Sequence, residues 1–124
     1  LAVVAWLRGL LPRAPLLLAG FSFGAHVSLR AAAQAHPAAL VSISIPFGHY
    51  VDGSVNPPHP GCPWLEVHSE DDEVVSYAES MAALKAYDPP PQLVRFEGAG
   101  HFYHGRLTEL QEAVLPFVQR HFPS

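Results

Sequence analysis

The sequence holds a single cysteine, Cys62, so no disulfide can form within the chain. That fits a reducing compartment, and a cytoplasmic location is expected. Cys62 sits in Pro60-Gly61-Cys62-Pro63, a turn leading into an apolar run, and reads as a small apolar filler rather than a nucleophile. Charge is scarce too: charged residues make up 15% of the chain, against about 25% in an ordinary soluble domain. The net charge is -4 and there is no basic run, which excludes the electrostatic footprint of a nucleic-acid or anionic-membrane binder. No apolar run reaches the roughly 18 residues that span a bilayer. The apolar stretch 1–11 lacks both a basic n-region and an A-x-A-like cleavage site, so it does not read as a signal peptide. Neither nucleic acid nor membrane is expected as a partner. The chain opens on Leu1 and its one methionine is Met81, so it is expected to be a fragment without its natural start. Eight histidines are present, yet none shows ligand spacing such as H-E-x-x-H, and neither metal nor other cofactor is expected.

What the chain does have is apolar residues, 49% of 124, enough for one small domain with a real core. Their spacing alternates between two periods. Helices are expected over about 1–10, 23–36, 77–87 and 107–121. Strands are expected over 15–19, 40–45, 64–68 and 92–96, with loops at 47–61 and 97–105. Pro12, Pro37, Pro46 and the run Pro89-Pro90-Pro91 punctuate them. Strands alternating with helices of this length predict parallel crossovers, hence a three-layer α/β/α domain with a parallel sheet of about four strands. The proline clusters are too short to be linkers, so residues 1–124 read as one domain.

Gly20-Phe21-Ser22-Phe23-Gly24 fits G-x-S-x-G and lies between an expected strand and an expected helix. A serine at the apex of such a turn is pushed out above the sheet, with a helix N-terminus behind it. The flanking glycines let strand and helix pass close together. In open parallel sheets, sites form at the carboxyl ends of the strands. After 64–68 comes Ser69-Glu70-Asp71-Asp72-Glu73-Val74-Val75, and after 92–96 comes Glu97-Gly98-Ala99-Gly100-His101. A serine, an acid and a histidine thus each follow a strand. The chemistry needs all three: a hydroxyl attacks poorly until a base takes its proton, imidazole can accept and return that proton near neutral pH, and a carboxylate fixes the tautomer. On position alone, Asp71 and Asp72 both qualify as the acid.

These motifs, together with Phe102-Tyr103-His104-Gly105-Arg106-Leu107, resemble the α/β-hydrolase superfamily, and most of all a small lidless bacterial branch of esterase-like hydrolases. There the acid segment resembles H-G-E-x-D-E-V-V-P and the histidine segment G-A-D-H-F-F-H-G-R-L. The chain looks like the C-terminal part of such a domain. The resemblance implies Ser22 as nucleophile, His101 as base and Asp72 as acid, the last because its spacing to Val75 matches the pattern. It implies the Phe23 N–H as one oxyanion donor. The second would come from a loop upstream of the serine turn, along with about four more strands. Ser69, Ser76 and Gly100 depart from the pattern, and the Gly100 change is expected to loosen the loop holding His101.

The resulting expectation is a serine hydrolase acting on small carboxylic esters or thioesters through an acyl-enzyme. The alternative is an inert hydrolase fragment, or a binding protein on the same fold. The short 47–61 loop leaves no room for a lid, which predicts an open site walled by Phe21, Phe23, Phe47, Phe102 and Tyr103. His26 is expected to pack, His68 to be a core or turn residue, and His104 to be structural or to rim the pocket. The 15–19 strand would present an unpaired apolar edge, so poor solubility or self-association through that edge is expected.

Overall fold

A computed structural model describes residues 1–51 and 55–121. The elements follow in the order α1 (Ala2–Leu10), β1 (Leu17–Phe21), α2 (Phe23–Ala35), β2 (Ala39–Ile43), β3 (Trp64–Ser69), α3 (Tyr77–Leu84), β4 (Gln92–Phe96) and α4 (Leu107–His121), with a 3₁₀ turn at Gly48–Tyr50. The four strands form one parallel sheet in the order β1-β2-β3-β4. Every expected element is present, and the sheet is the partial α/β fold that the pattern implied.

Burial separates the strands by position. β3 is buried throughout and β2 nearly so, whereas at the two edges β1 is largely part-exposed and β4 largely exposed. Parallel strands covered on both faces usually read as continuous apolar runs; β2 does so but for Ser42, whereas β3 carries Glu66, His68 and Ser69 in buried positions. On one face Leu40 and Trp64 pack with Ala25 and Leu29 of α2 and Leu84 of α3. On the other, Ala39, Val41, Leu65 and Val67 pack with Phe117 of α4. The sheet is thereby the middle of three layers.

The boundary shifts matter because they place the site. β1 starts later than expected and runs through Phe21, since Gly20 and Phe21 still pair with Ser42 and Ile43 of β2. The Ser22 N–H then bonds the Ile43 carbonyl at 2.8 Å, tying the serine to the sheet. β2 stops at Ile43 because Ser44 turns left-handed, at φ 57°. α3 ends at Leu84: Ala86 and Tyr87 bond back only three residues, and the Tyr87 hydroxyl donates to the Pro57 carbonyl at 2.6 Å. α2 is closed by His36 in the left-handed conformation, its N–H on the Ala32 carbonyl. α1 is helical as its periodicity predicts, but it buries none of its residues, and Trp6 is 63% exposed. No helix among the described residues is long and apolar enough to cross a membrane.

Candidate active site

The turn between β1 and α2 places Ser22 at an unusual backbone conformation, φ 55° and ψ -124°, of the kind held only where surrounding structure over-determines it. The restraint on one side is the sheet bond to Ile43. On the other is the close approach of Gly20 to α2, where a β-carbon would lie 2.3 Å from the Gly24 carbonyl oxygen. Gly20 is therefore required by contact. A β-carbon at Gly24 would meet nothing within 4 Å, so the two glycines are not equivalent as the motif suggested. Phe23 is the first residue of α2, and its N–H has no intrahelical acceptor.

Two loops meet this serine from β3 and β4. The Ser22 hydroxyl donates to His101 Nε2 at 3.0 Å, and His101 Nδ1–H donates to Asp72 Oδ2 at 2.8 Å and Oδ1 at 3.0 Å. The imidazole is 2% exposed and the Asp72 side chain fully buried. Asp72 Oδ1 also accepts the N–H groups of Val74 at 2.8 Å and Val75 at 2.7 Å. Four donor contacts thus converge on one buried carboxylate. An ionised Asp72 fixes the proton of His101 on Nδ1 and leaves Nε2 bare to face the serine.

The structure separates the two candidate acids. Asp71 turns away from the imidazole: its carboxylate takes the Ser69 hydroxyl and the Gly100 N–H. The Ser69 hydroxyl and the Gly100 N–H, mainly in that order, hold its carboxyl below the usual range. Glu73, which sequence reasoning passed over, accepts the His101 backbone N–H at 3.1 Å. Its carboxylate also occupies the space beside Gly100, where a β-carbon would come within 3.2 Å of Glu73 Oε2. Gly100 is itself left-handed, at φ 67°. The loop expected to be loosened by Gly100 is thus held from the Asp71-Asp72-Glu73 segment.

The expected aromatic walls divide. Phe21 and Phe102 flank the imidazole with ring centroids 4.9 Å from it, and both rings are partly exposed. Phe23 is 62% exposed beside the serine. Phe47 and Tyr103 do not line the site. Phe47 is buried with Ala25, Leu29 and Ile45. Tyr103 is 1% exposed under the sheet, packed edge-on against Phe96. Burial pushes its phenol up to about 12, and it shares a hydrogen bond with the Ser44 hydroxyl. Both were assigned by closeness in sequence to a motif, which a change of chain direction undoes.

Behind Asp72 lies a buried polar chain that sequence reasoning missed. His68 and Glu66 project from the same face of β3, two residues apart, and are bonded Nδ1 to Oε2 at 2.9 Å. Glu66 Oε1 accepts the Ser42 hydroxyl at 2.8 Å, and Ser42 accepts the Trp64 indole N–H at 2.9 Å. On its other side His68 Nε2–H donates to the Val75 carbonyl at 3.0 Å and lies 3.4 Å from Asp72 Oδ2. Burial raises the Glu66 carboxyl. Burial pulls His68 the opposite way, but its bond to the Glu66 carboxylate and their attraction outweigh this and raise it. The sequence signal was available: a glutamate and a histidine at alternating positions inside a strand buried on both faces must find partners.

The remaining histidines stand elsewhere. His26 packs in the core as expected, its Nδ1–H on the Pro46 carbonyl at 2.9 Å and its Nε2 accepting from Arg30 at 3.0 Å. Burial first, then Arg30, lower its pKa against the opposing pull of Pro46. His104 is exposed beside Phe102. Cys62 is partly buried against the core. No group of metal-ligating side chains is found among the described residues.

The chain is similar to solved structures over nearly its whole length. A lidless α/β serine hydrolase from Xanthomonas campestris is 40% identical and superposes with a TM-score of 0.87 over 99% of this chain and 55% of its own. An α/β serine hydrolase homologue from Coxiella burnetii is 34% identical, with a TM-score of 0.83 over 94% of this chain and 55% of its own. Est1E from Butyrivibrio proteoclasticus, seen with ferulic acid bound, is 22% identical with a TM-score of 0.80 and shares the fold. The chain spans about 55% of the length of the first two. No family profile and no curated protein matches it.

Proposed function

We propose, for a chain that belongs to the α/β-hydrolase superfamily by fold and by sequence, that Ser22, His101 and Asp72 form the catalytic triad of a serine hydrolase acting on small carboxylic esters or thioesters. The observation that carries this reading is the unbroken chain Ser22 Oγ, His101 Nε2, His101 Nδ1, Asp72. Ser22 Oγ attacks the acyl carbon while His101 Nε2 takes its proton. The oxyanion so formed is held by the Phe23 N–H at the start of α2, where the helix N-terminus also favours negative charge. Collapse of the tetrahedral species expels the alcohol or thiol, which leaves with the proton from His101. The acyl group stays on Ser22 until a water, deprotonated by the same nitrogen, attacks it. The carboxylic acid then departs and Ser22 regains its proton. Asp72 stays ionised and stabilises the imidazolium in both halves. Phe21 and Phe102 offer apolar contact to a short acyl chain beside the imidazole.

One observation favours a second reading. Among the described residues the Phe23 N–H at the start of α2 is the donor that the serine turn offers to an oxyanion, and a hydrolase site with a single such donor forfeits about 10²–10³ in rate. On that reading the triad takes an acyl group and releases it slowly. The two are separated by the burst with p-nitrophenyl esters of increasing acyl length. A burst followed by steady turnover, best with acetate or butyrate, supports the first reading. A stoichiometric burst that stalls supports the second, and no burst with any ester contradicts both.

A further inference from the structure

We propose that Glu66 and His68 are positioning residues for the triad: together they hold one buried proton, as a carboxylate and an imidazolium, and that imidazolium fixes Asp72 and restrains the basicity of His101. The inference rests on the hydrolase reading only in so far as His101 is the base.

The hydrogen-bond inventory leads to this arrangement. His68 and Glu66 have no exposed side-chain surface, so water cannot complete their bonding. Both ring nitrogens of His68 face acceptors, Glu66 Oε2 at 2.9 Å on one side and the Val75 carbonyl at 3.0 Å on the other. A neutral imidazole has one N–H and satisfies one of them. The second proton must reside on His68 or on Glu66. Glu66 is already provided with donors: the Ser42 hydroxyl reaches Oε1 at 2.8 Å and the Ile45 N–H reaches Oε2 at 3.2 Å. Ser42 Oγ accepts the Trp64 indole N–H at 2.9 Å, and of the two acceptors open to its own proton Glu66 Oε1 at 2.8 Å is much nearer than the Leu65 carbonyl at 3.4 Å. Burial raises the Glu66 carboxyl, but these donors and its pairing with His68 act the other way, and the same pairing raises His68 against its own burial. The geometry of converging donors favours the carboxylate and puts the proton on His68.

The charge pattern agrees. Glu66 and Asp72 are two carboxylates on opposite sides of His68, at 2.9 Å and 3.4 Å. An imidazolium between them balances one and partly offsets the other, whereas the same proton on Glu66 would leave the Asp72 carboxylate without that offsetting charge in a low-dielectric region. The mechanical part is equally specific. Val75 is gripped by both its peptide groups, its N–H on Asp72 Oδ1 at 2.7 Å and its carbonyl on His68 Nε2–H. The turn that presents Asp72 is therefore pinned to β3 through His68.

The other charged and titratable groups around the triad are accounted for. Glu73 sits on the His101 backbone N–H, and Asp71 on Ser69 and Gly100. Tyr77 packs edge-on against His68 at 5.7 Å, and Tyr103 is a neutral phenol bonded to Ser44. On this account Asp72 raises the basicity of His101, and His68, as a cation on the far side of the same carboxylate, withdraws part of that effect.

The test is ¹⁵N NMR of the histidine side chains in the full chain. In the wild type both ring nitrogens of His68 are expected to carry protons at pH 7 and to keep them while His101 titrates. In Glu66→Gln and His68→Gln, each shown to be folded, the pKa of His101 is expected to rise by about one unit. Glu79→Gln, an exposed change, is expected to leave it in place. A bare His68 Nδ1 in the wild type overturns the proposal even if no variant folds. An unmoved His101 pKa in folded E66Q and H68Q overturns it as well. Since the spectra read His101 whether or not an ester is cleaved, a shifted His101 beside a Ser22 that takes no fluorophosphonate would sink the hydrolase reading and leave this pair standing.

Discussion

A β-carbon on Gly20 would lie 2.3 Å from the carbonyl oxygen of Gly24. The contact is backbone against backbone, so neither side can yield without moving β1 away from α2 and taking Ser22 with it. Gly20→Ala is expected to cost about 3 kcal/mol in urea denaturation, the upper end of the usual range for overpacking, because the contact is with backbone. Gly24→Ala, with open space at the β-carbon, is expected to be neutral or to stabilise by up to about 1 kcal/mol. Equal losses at the two positions would contradict the asymmetry.

The separation of Asp71 from Asp72 gives a second prediction. Asp72→Asn replaces an ionised acceptor by an amide that can present its N–H to His101 and favour the wrong tautomer. Acylation of Ser22 is expected to slow by up to about 10⁴-fold. Asp71→Asn alters only the bonds to Ser69 and Gly100 and is expected to leave the rate within a few-fold. Stopped-flow bursts on the two variants decide between them, and the reverse order would move the acid to Asp71.

The site was legible in the sequence to the extent that it depends on order along the chain. Ser22, Asp72 and His101 each follow a strand, and parallel strands deliver their carboxyl ends to one edge. What depends on which way a side chain turns was not legible. Phe47 and Tyr103 stand within a few residues of a strand end or of His101, yet they turn into opposite cores. The β1 boundary was misplaced because Gly20 and Phe21, assigned to the G-x-S-x-G turn, still pair with Ser42 and Ile43 in the sheet. His68 was expected as a core or turn residue and Glu66 was passed over, though alternation at two polar positions in a fully buried strand marks a paired site.

Acid stability offers a third prediction. His26 has a folded pKa below its ordinary value of 6.5, owing first to burial. The unfolded chain therefore binds the proton more readily. Stability is lost as pH falls below about 6.5, and the loss levels off once pH passes the folded value. Urea midpoints between pH 5 and 7.5 are expected to fall on acidification less steeply in folded His26→Gln than in the wild type. Identical slopes would remove His26 from the account.

β1 ends the described sheet on one side, with no strand on its outer edge, and α1 beside it in the chain buries none of its residues. Unpaired edges and exposed apolar side chains favour association. Sedimentation velocity is expected to show concentration-dependent self-association of this chain. A single monomeric species up to high concentration would contradict it.

Labelling with a fluorophosphonate, with the adduct mapped by mass spectrometry and Ser22→Ala as the control, tests the central claim most directly. It needs an activated serine but no turnover, so it does not wait on a second oxyanion donor. The account predicts one adduct per chain, on Ser22, lost in Ser22→Ala and greatly slowed in Asp72→Asn. A folded chain that takes no label, or takes it elsewhere, would show that the hydrogen-bonded line from Asp72 to Ser22 does not activate the hydroxyl.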